Sequence, residues 1–307
     1  MEITAAMVKE LRNMTGSGVM DCKRALVESE GDYDKAVEVL REKGLASAEK
    51  KASRIAAEGI VWVSVKDDVT AIIVEVNSET DFVAQNDTFR TFVADVAEQI
   101  LTSDVGTVEE LAEQKWIKDA SKTVQEELVS QIAVIGEKLS IRRFVKINAE
   151  NGVVVPYLHG GGRIGVLVDA ESAVVNAEVK EALKNVAMQV AALSPKYVSR
   201  DEISDEYIEH EKEILKAQAS NENPDKPESI IEKMIIGRLN KELKEVCLLD
   251  QIYVKDGDLT VAKYLEQVSK AVGTDIKIKS FVRFETGEGI EKKEENFAEE
   301  VAKQMSK

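Results

Sequence analysis

The chain has 307 residues, 44% hydrophobic and 32% charged, which supplies apolar material for about two domains with real cores and argues against disorder over its length. With 57 Asp and Glu against 41 Lys and Arg it carries a net charge of −16, and its one basic stretch, Lys50, Lys51 and Arg54, sits between Glu49 and Glu58, so nucleic acid is disfavoured as a direct partner. No apolar run approaches the ~20 residues that span a bilayer, which argues against a membrane partner, and Met1-Glu2-Ile3-Thr4 shows no secretory signal.

The first ~45 residues read as three short helices with glycine stops. Thr4 caps the first, which places Val8 and Leu11 on one face before Gly16. Asp21 to Ser29 carries Cys22, Ala25 and Leu26 up to Gly31. Asp32 caps a third with Ala36, Val37 and Leu40 inward and Gly44 after it. Leu45 to Glu58, rich in Ala and Lys, reads as a helical linker. From Gly59 the period changes: Ile60–Val65 and Val69–Val76, around Lys66-Asp67-Asp68, predict a β-hairpin. Asn86 or Asp87 caps a helix with Phe89, Phe92, Val93, Val96 and Ile100 at helical spacing. Thr107 and Glu110 suggest a capping box, and Val124, Leu128, Ile132 and Ile135 mark one more helix.

Strands follow at Ile141–Ile147, Val153–Leu158 and Ile164–Val168, then a helix with Val179, Leu183, Val186 and Val190 that stops at Pro195. This half echoes the first. Ala71-Ile72-Ile73-Val74 resembles Gly165-Val166-Leu167-Val168, and Val93–Val96 resembles Val186–Val190, both at an offset of roughly 93 to 94, which points to a duplicated strand–helix unit. Asp205–Ala219 and Pro227–Leu248 form a charged helical hairpin around Asn221–Lys226. Thr260 caps a helix with Val261, Tyr264, Leu265 and Val268, Ile276–Phe284 alternates as a strand, and Asn296–Met305 is expected to close the chain as a helix.

The inventory is poor in covalent chemistry. Two histidines, His159 and His210, and two cysteines, Cys22 and Cys247, form neither a Cys-x-x-Cys nor a His-Glu-x-x-His pattern, and no Ser or Cys stands beside a positioned base. The cysteine count fits a reducing cytoplasm rather than a disulfide framework. The expectation is a cytoplasmic protein that works by binding another protein, with a generic scaffold as the first competitor and a carboxylate-pair enzyme ranked last.

The most informative stretch is Glu79-Thr80-Asp81-Phe82-Val83-Ala84-Gln85-Asn86, read as a loop between strand and helix. Phe82 beside Asp81 reads either as an aromatic wedge for a partner's pocket or as a staple folded into its own core. Around Gly16 and Gly18, Val19, Met20 and Cys22 read either as an exposed apolar contact or as plain three-helix core. His159, beside Gly160, Gly161 and Gly162, has neither the helix start nor the Lys-Ser/Thr of a phosphate loop. It reads as a close backbone approach or a partner contact, with a plain strand turn as the alternative.

Together these blocks resemble the bacterial elongation factor Ts family. The resemblance begins with Leu11-Arg-x-x-Thr-Gly-x-Gly-x-x-Asp21-Cys22-Lys23-x-Ala25-Leu26 and continues through Thr80-Asp81-Phe82-Val83. It resumes at His159-Gly-Gly-Gly-Arg163-Ile164-Gly165-Val166-Leu167-Val168 and at Phe281-Val282-Arg283-Phe284-Glu285-x-Gly287-Glu288-Gly289-Ile290-Glu291. Departures are minor and none falls within Thr80–Val83.

The resemblance implies an α+β protein. It would have an N-terminal three-helix, ubiquitin-associated-like module with its linker (1–54) and duplicated α/β core subdomains with antiparallel sheets (55–140 and 141–285). An antiparallel helical hairpin is inserted at about 202–248, and a C-terminal helical module follows (286–307). It also implies a guanine-nucleotide exchange factor for elongation factor Tu, acting without a cofactor of its own because magnesium and GDP or GTP belong to the partner. Thr80, Asp81, Phe82 and Val83 would disturb the partner's magnesium and nucleotide site, and Val19, Met20 and Cys22 would contact its nucleotide domain. A core contact at His159 stays open, as does assembly into a homodimer or a heterotetramer with the partner.

Overall fold

The computed structural model describes residues 3–224 and 226–291. The expected closing helix at Asn296–Met305, and the 286–307 module beyond residue 291, lie outside the described residues. Two compact units emerge: among the described residues, 3–62, 74–144 and 285–291 form the first, and 63–73 and 145–284 the second. No described helix is long and apolar enough to cross a membrane.

The first unit opens with α1 (Ala5–Thr15), α2 (Val19–Glu28) and α3 (Tyr33–Lys51). Thr4 and Asp32 cap α1 and α3 through their side-chain oxygens, as their sequence positions predict. Val8, Leu11, Cys22, Ala25, Leu26 and Ala36 make a small core for the three helices. Gly44 does not end α3, which is buried there against α7 (Val124–Ile135), but the helix runs only to Lys51: the second half of the expected helical linker is a turn and irregular chain, and Glu58 already begins the first strand. A Cβ at Gly44 would meet Ala133 Cβ and Val129 Cγ1 at 3.6 Å, ordinary contact. Gly44→Ala is therefore expected to stabilise the protein by about 0.5–1 kcal/mol, seen as a higher midpoint in thermal unfolding, because the helix gains rigidity without a clash.

The strands β1 (Glu58–Lys66) and β2 (Thr70–Ser78) form the expected hairpin. Asp67 (φ 54°) and Asp68 (φ 60°) both take the left-handed conformation, and Val69 N–H donates to Lys66 O, which makes a type I′ turn. The helices α4 (Asp81–Ala84), α5 (Asp87–Thr102) and α6 (Val108–Glu113) follow, then a small hairpin of β3 (Lys115–Trp116) and β4 (Asp119–Thr123), then α7 and β5 (Ser140–Asn148). The strand order is β1-β2-β5, and Phe89, Phe92, Val93, Val96 and Ile100 of α5 are buried. Thr107 caps α6, but Glu110 accepts from Gly106 N–H rather than from the cap itself, so only half of that box forms. The full capping box belongs to Thr123 and Glu126 at the start of α7.

In the second unit β6 (Gly152–His159) pairs antiparallel with β7 (Ile164–Glu171), with His159 opposite Ile164. Next come α8 (Ala177–Leu193), the hairpin helices α9 (Asp205–Glu222) and α10 (Glu228–Val246), β8 (Ile252–Tyr253), β9 (Asp256–Thr260), α11 (Val261–Val272) and β10 (Lys277–Glu285). The sheet order is β10-β7-β6. Leu215, Ala219, Ile231, Ile235, Leu239 and Leu243 give the hairpin a core of its own. Its two ends are zipped together: Tyr197 and Cys247 form a parallel bridge, and Leu248 and Leu249 N–H donate to the carbonyls of Tyr197 and Val198.

The internal duplication is plain in the hydrogen bonds. In the first copy Gln99 Nε2 donates to Gln114 Oε1 and Lys115 O while its Oε1 accepts from Ile117 N–H. In the second, Gln189 makes the same three bonds with Gln251, Ile252 O and Val254 N–H. The helix caps Asn86 and Asn176, like the two glutamines, lie 90 residues apart, whereas Thr123 and Thr260, which cap α7 and α11, lie 137 apart. The 47 extra residues are those of the zipped hairpin and its flanks. Val93–Val96 therefore aligns with Leu183–Val186, one turn from the alignment that apolar spacing alone suggests.

Candidate protein-binding site

Thr80–Val83 is not a free loop. Thr80 is the N-cap of the one-turn helix α4, its hydroxyl accepting from Val83 N–H, and Asn86 immediately starts α5 with hydrogen bonds from the N–H groups of Thr88 and Phe89. Within that turn Ala84 faces inward and is buried, Val83 is half-buried and Asp81 is exposed. Phe82 stands 84% exposed, the most exposed of the large apolar side chains among the described residues. That rules out the staple: an aromatic ring left in water gives up roughly 1.5–3 kcal/mol of burial that its own fold could have taken.

The turn is clamped from several sides. Glu137 accepts three hydrogen bonds from it: Thr80 Oγ1 at 2.7 Å on Oε1, and the N–H groups of Thr80 and Glu79 at 3.0 and 3.1 Å on Oε2. Glu79 in turn accepts from Lys138 N–H at 2.6 Å and from Arg54 Nη1 at 3.2 Å. Lys138 Nζ donates to Ala52 O and Arg54 O, just beyond the end of α3. Ser78 Oγ closes the set by donating to Thr80 O. Sequence reasoning missed Glu137 and Lys138, which follow a helix-ending glycine in a polar stretch and carry no motif signal.

On the N-terminal module the named residues divide. Met20 is 62% and Val19 48% exposed at the start of α2, while Cys22 is fully buried in the three-helix core. Cys22 therefore offers no surface to a partner, and its burial, the largest influence, pushes the thiol up from its ordinary value. Its part is to hold the helix that presents the other two. The sequence reading also passed over Val27, 59% exposed one residue short of the end of α2. Its i, i+7 spacing from Met20 was the available signal, since it puts both on one face with Lys23 between them.

His159 ends β6 in the second unit and is exposed. Its Nδ1 lies 3.0 Å from Tyr157 Oη, and Gly160, Gly161 and Gly162 all have positive φ in the turn that follows. No helix begins there, so the turn offers no phosphate cradle of the helix-terminus kind. Among the described residues no group of three or more His, Cys, Asp or Glu is placed to hold a metal ion.

A further site of order centres on β2. Glu75 on β2 is fully buried, and its carboxylate accepts from Arg143 Nε (2.6 Å), Gly287 N–H (2.8 Å), Arg142 Nη1 (2.9 Å) and Asn77 Nδ2 (3.0 Å). Burial by itself would raise this carboxyl, but the hydrogen bonds from Gly287, Asn77 and the two arginines outweigh it and hold the group below the usual carboxylate range. The arginines reach on to Glu288 O and to the Glu288 carboxylate. Gly287 has φ +73°, and a Cβ there would lie 2.0 Å from Ala57 O, so no other residue fits without moving the backbone.

The Elongation factor TS family's sequence model matches residues 79–288. The chain is 57% identical over 304 residues to Elongation factor Ts of Clostridioides difficile strain 630, covering 99% of both chains. It is 56% identical to that of Clostridium kluyveri over 304 residues, again 99% of each, and 56% identical to that of Clostridium perfringens over 306 residues, 99% of this chain and 100% of that one. A family match across more than half of the chain, with relatives similar from end to end, places this chain in the elongation factor Ts family of translation elongation factors.

Proposed function

We propose that this chain is the guanine-nucleotide exchange factor of elongation factor Tu: it binds the GDP form, disturbs the magnesium and nucleotide site and promotes GDP release so that GTP can enter. The observation that carries this reading is Phe82, a bare aromatic ring on a one-turn helix clamped by Glu137, beside the exposed carboxylate of Asp81. A solvent-facing ring on a backbone turn already held in place leaves only its own side-chain torsions to be ordered when it fills a partner's pocket, so more of its burial appears as binding free energy. Asp81 would rearrange groups that support the partner's magnesium, while Thr80 and Val83 hold the turn. Val19 and Met20 would grip the nucleotide domain, and His159 a second surface.

An exchange factor is a ligand that prefers the nucleotide-free partner, so by linkage nucleotide weakens its binding by the same factor. Every tenfold gain in GDP release takes about 1.4 kcal/mol from the dissociation barrier. Loss of magnesium's contacts to phosphate is a sufficient source, because the ion is among the largest local charges in such a site. In this reading the chain acts by binding rather than by turnover, the nucleotide and metal are the partner's, and the work is done in the cytoplasm.

The test is release of a fluorescent GDP analogue from purified elongation factor Tu. Dose-dependent acceleration by the chain is the expected result. Binding without acceleration would replace the exchange reading with that of a scaffold.

A further inference from the structure

From the clamp described above, we infer that Glu137 is a positioning residue for exchange: it acts through Phe82, and with Lys138 it ties the wedge turn to the end of the N-terminal module's last helix. The inference rests on the exchange reading and extends it to residues outside the wedge.

The internal duplicate supplies the control. The close approach of Gly59 to Val76 and Asn77 recurs as that of Gly152 to Ala170 and Glu171, which sets the strand ends 94 residues apart, whereas the caps Asn86 and Asn176 lie 90 apart, so the link from the hairpin to the long helix is four residues longer in the first copy. Those four residues are the length of α4, Asp81–Ala84, so the wedge turn is an addition to the shared fold. At the positions equivalent to Glu137 and Lys138, directly after the helix-ending glycines Gly136 and Gly273, the second copy has Thr274 and Asp275. A threonine cannot offer the two-oxygen acceptor that Glu137 presents, and an aspartate cannot donate from a side-chain ammonium as Lys138 does. The brace thus occurs in the copy that carries the added turn, and its bonds run to that turn.

The chemistry explains why an acid is needed. The strand-to-helix junction leaves the Glu79 and Thr80 N–H groups unpaired by secondary structure, and both point at one carboxylate oxygen while the Thr80 hydroxyl takes the other. A charged acceptor makes each of these bonds stronger than a neutral one would. Because Thr80 caps α4 with the same hydroxyl, fixing that hydroxyl fixes the first turn and the direction of Phe82. Lys138 extends the constraint: its N–H holds Glu79, its ammonium holds the carbonyls of Ala52 and Arg54, and Arg54 returns to Glu79. A partner that seats on the module is therefore met by a ring at a set distance from it.

The experiment follows GDP-analogue release from elongation factor Tu with the full chain, Glu137→Gln, Thr80→Val, Phe82→Ala and Glu137→Gln combined with Phe82→Ala. Thermal unfolding of each variant confirms that it is folded. Glu137→Gln keeps the shape but turns one acceptor oxygen into a donor facing donors. It is expected to lower the maximal release rate about tenfold while the half-saturating concentration moves less than about twofold, with Thr80→Val in the same direction. In the Phe82→Ala background Glu137→Gln is expected to add almost nothing. Equal losses with and without Phe82 would make Glu137 merely structural, and a full maximal rate in both Glu137→Gln and Thr80→Val would overturn the inference. If the unaltered chain itself fails to accelerate release, it is the exchange reading that falls.

Discussion

Phe82→Ala is expected to lower the maximal rate of GDP release from elongation factor Tu by about 30-fold, with a much smaller effect on the stability of the complex. Central aromatic anchors cost about 2 kcal/mol or more when truncated, and 2 kcal/mol in a barrier corresponds to roughly a 30-fold change in rate. The ring is 84% exposed in the unbound protein, so truncation removes almost nothing from the fold and the variant should unfold with the wild type. In the proposed mechanism the loss falls in the rate, because there Phe82 would be used most where the partner's nucleotide site is opening, and an interaction made only in that state changes turnover and spares affinity. Saturation curves of release rate against factor concentration separate the two. Equal losses in rate and affinity would make Phe82 a simple anchor.

Glu75→Gln is expected to destabilise the first unit by about 3 kcal/mol at neutral pH, the range for removing one partner of a buried ion pair. The amide keeps the shape, but it removes the buried anion that Arg142 and Arg143 share, while Arg143 keeps its ion pair with Glu288, and it turns one acceptor toward donors. Trp62 and Trp116, the only tryptophans, both lie in the first unit, so tryptophan fluorescence in urea reports on this unit. The carboxyl is held below its ordinary value in the folded protein. Its contribution is therefore complete above the unfolded glutamate's value of about 4.3 and disappears as pH falls through the lower folded value. The difference between wild type and variant should accordingly shrink below about pH 4. A difference unchanged from neutral pH to pH 3 would mean that shape, and not charge, holds Gly287 and Glu288 in place.

Much of the fold is legible in the sequence because local signals agree there. Thr4, Asp32, Asn86 and Thr260 cap helices as their side chains predict, and Asp67-Asp68 makes the tight turn between two β-branched runs. Where sequence reasoning fails, tertiary contact decides. Gly44 has the chemistry of a helix stop, yet burial against Val129 and Ala133 keeps it inside α3, a close approach that no local pattern announces. The duplication is visible, but the helices slide by a turn because apolar residues three or four apart look alike after such a shift. The buried Gln99 and Gln189, which fix the true alignment, look like surface residues in the sequence. The small hairpins β3–β4 and β8–β9 are too short to carry a period. At the site, Thr80–Val83 is marked by resemblance, but its clamp depends on Glu137, more than fifty residues away, and Cys22 belongs to a motif while facing the core.

The zipped neck of the helical hairpin gives the molecule an engineering property. Because Tyr197–Val198 and Cys247–Leu249 are held side by side by backbone hydrogen bonds, and because the hairpin's apolar residues pack on each other, the chain enters and leaves the hairpin at nearly one point. Such a junction is indifferent to what it carries: joining two points already adjacent costs little loop entropy, and each doubling of the excursion adds only about 0.6 kcal/mol. Residues 205–239, which leave out Glu245 and Val246 because their carbonyls accept from Gln251 and from the neck, are thus a cassette, a port expected to take a shorter turn, a longer arm or a reporter domain with neighbouring termini while β8, β9 and the Gln189 network keep their register.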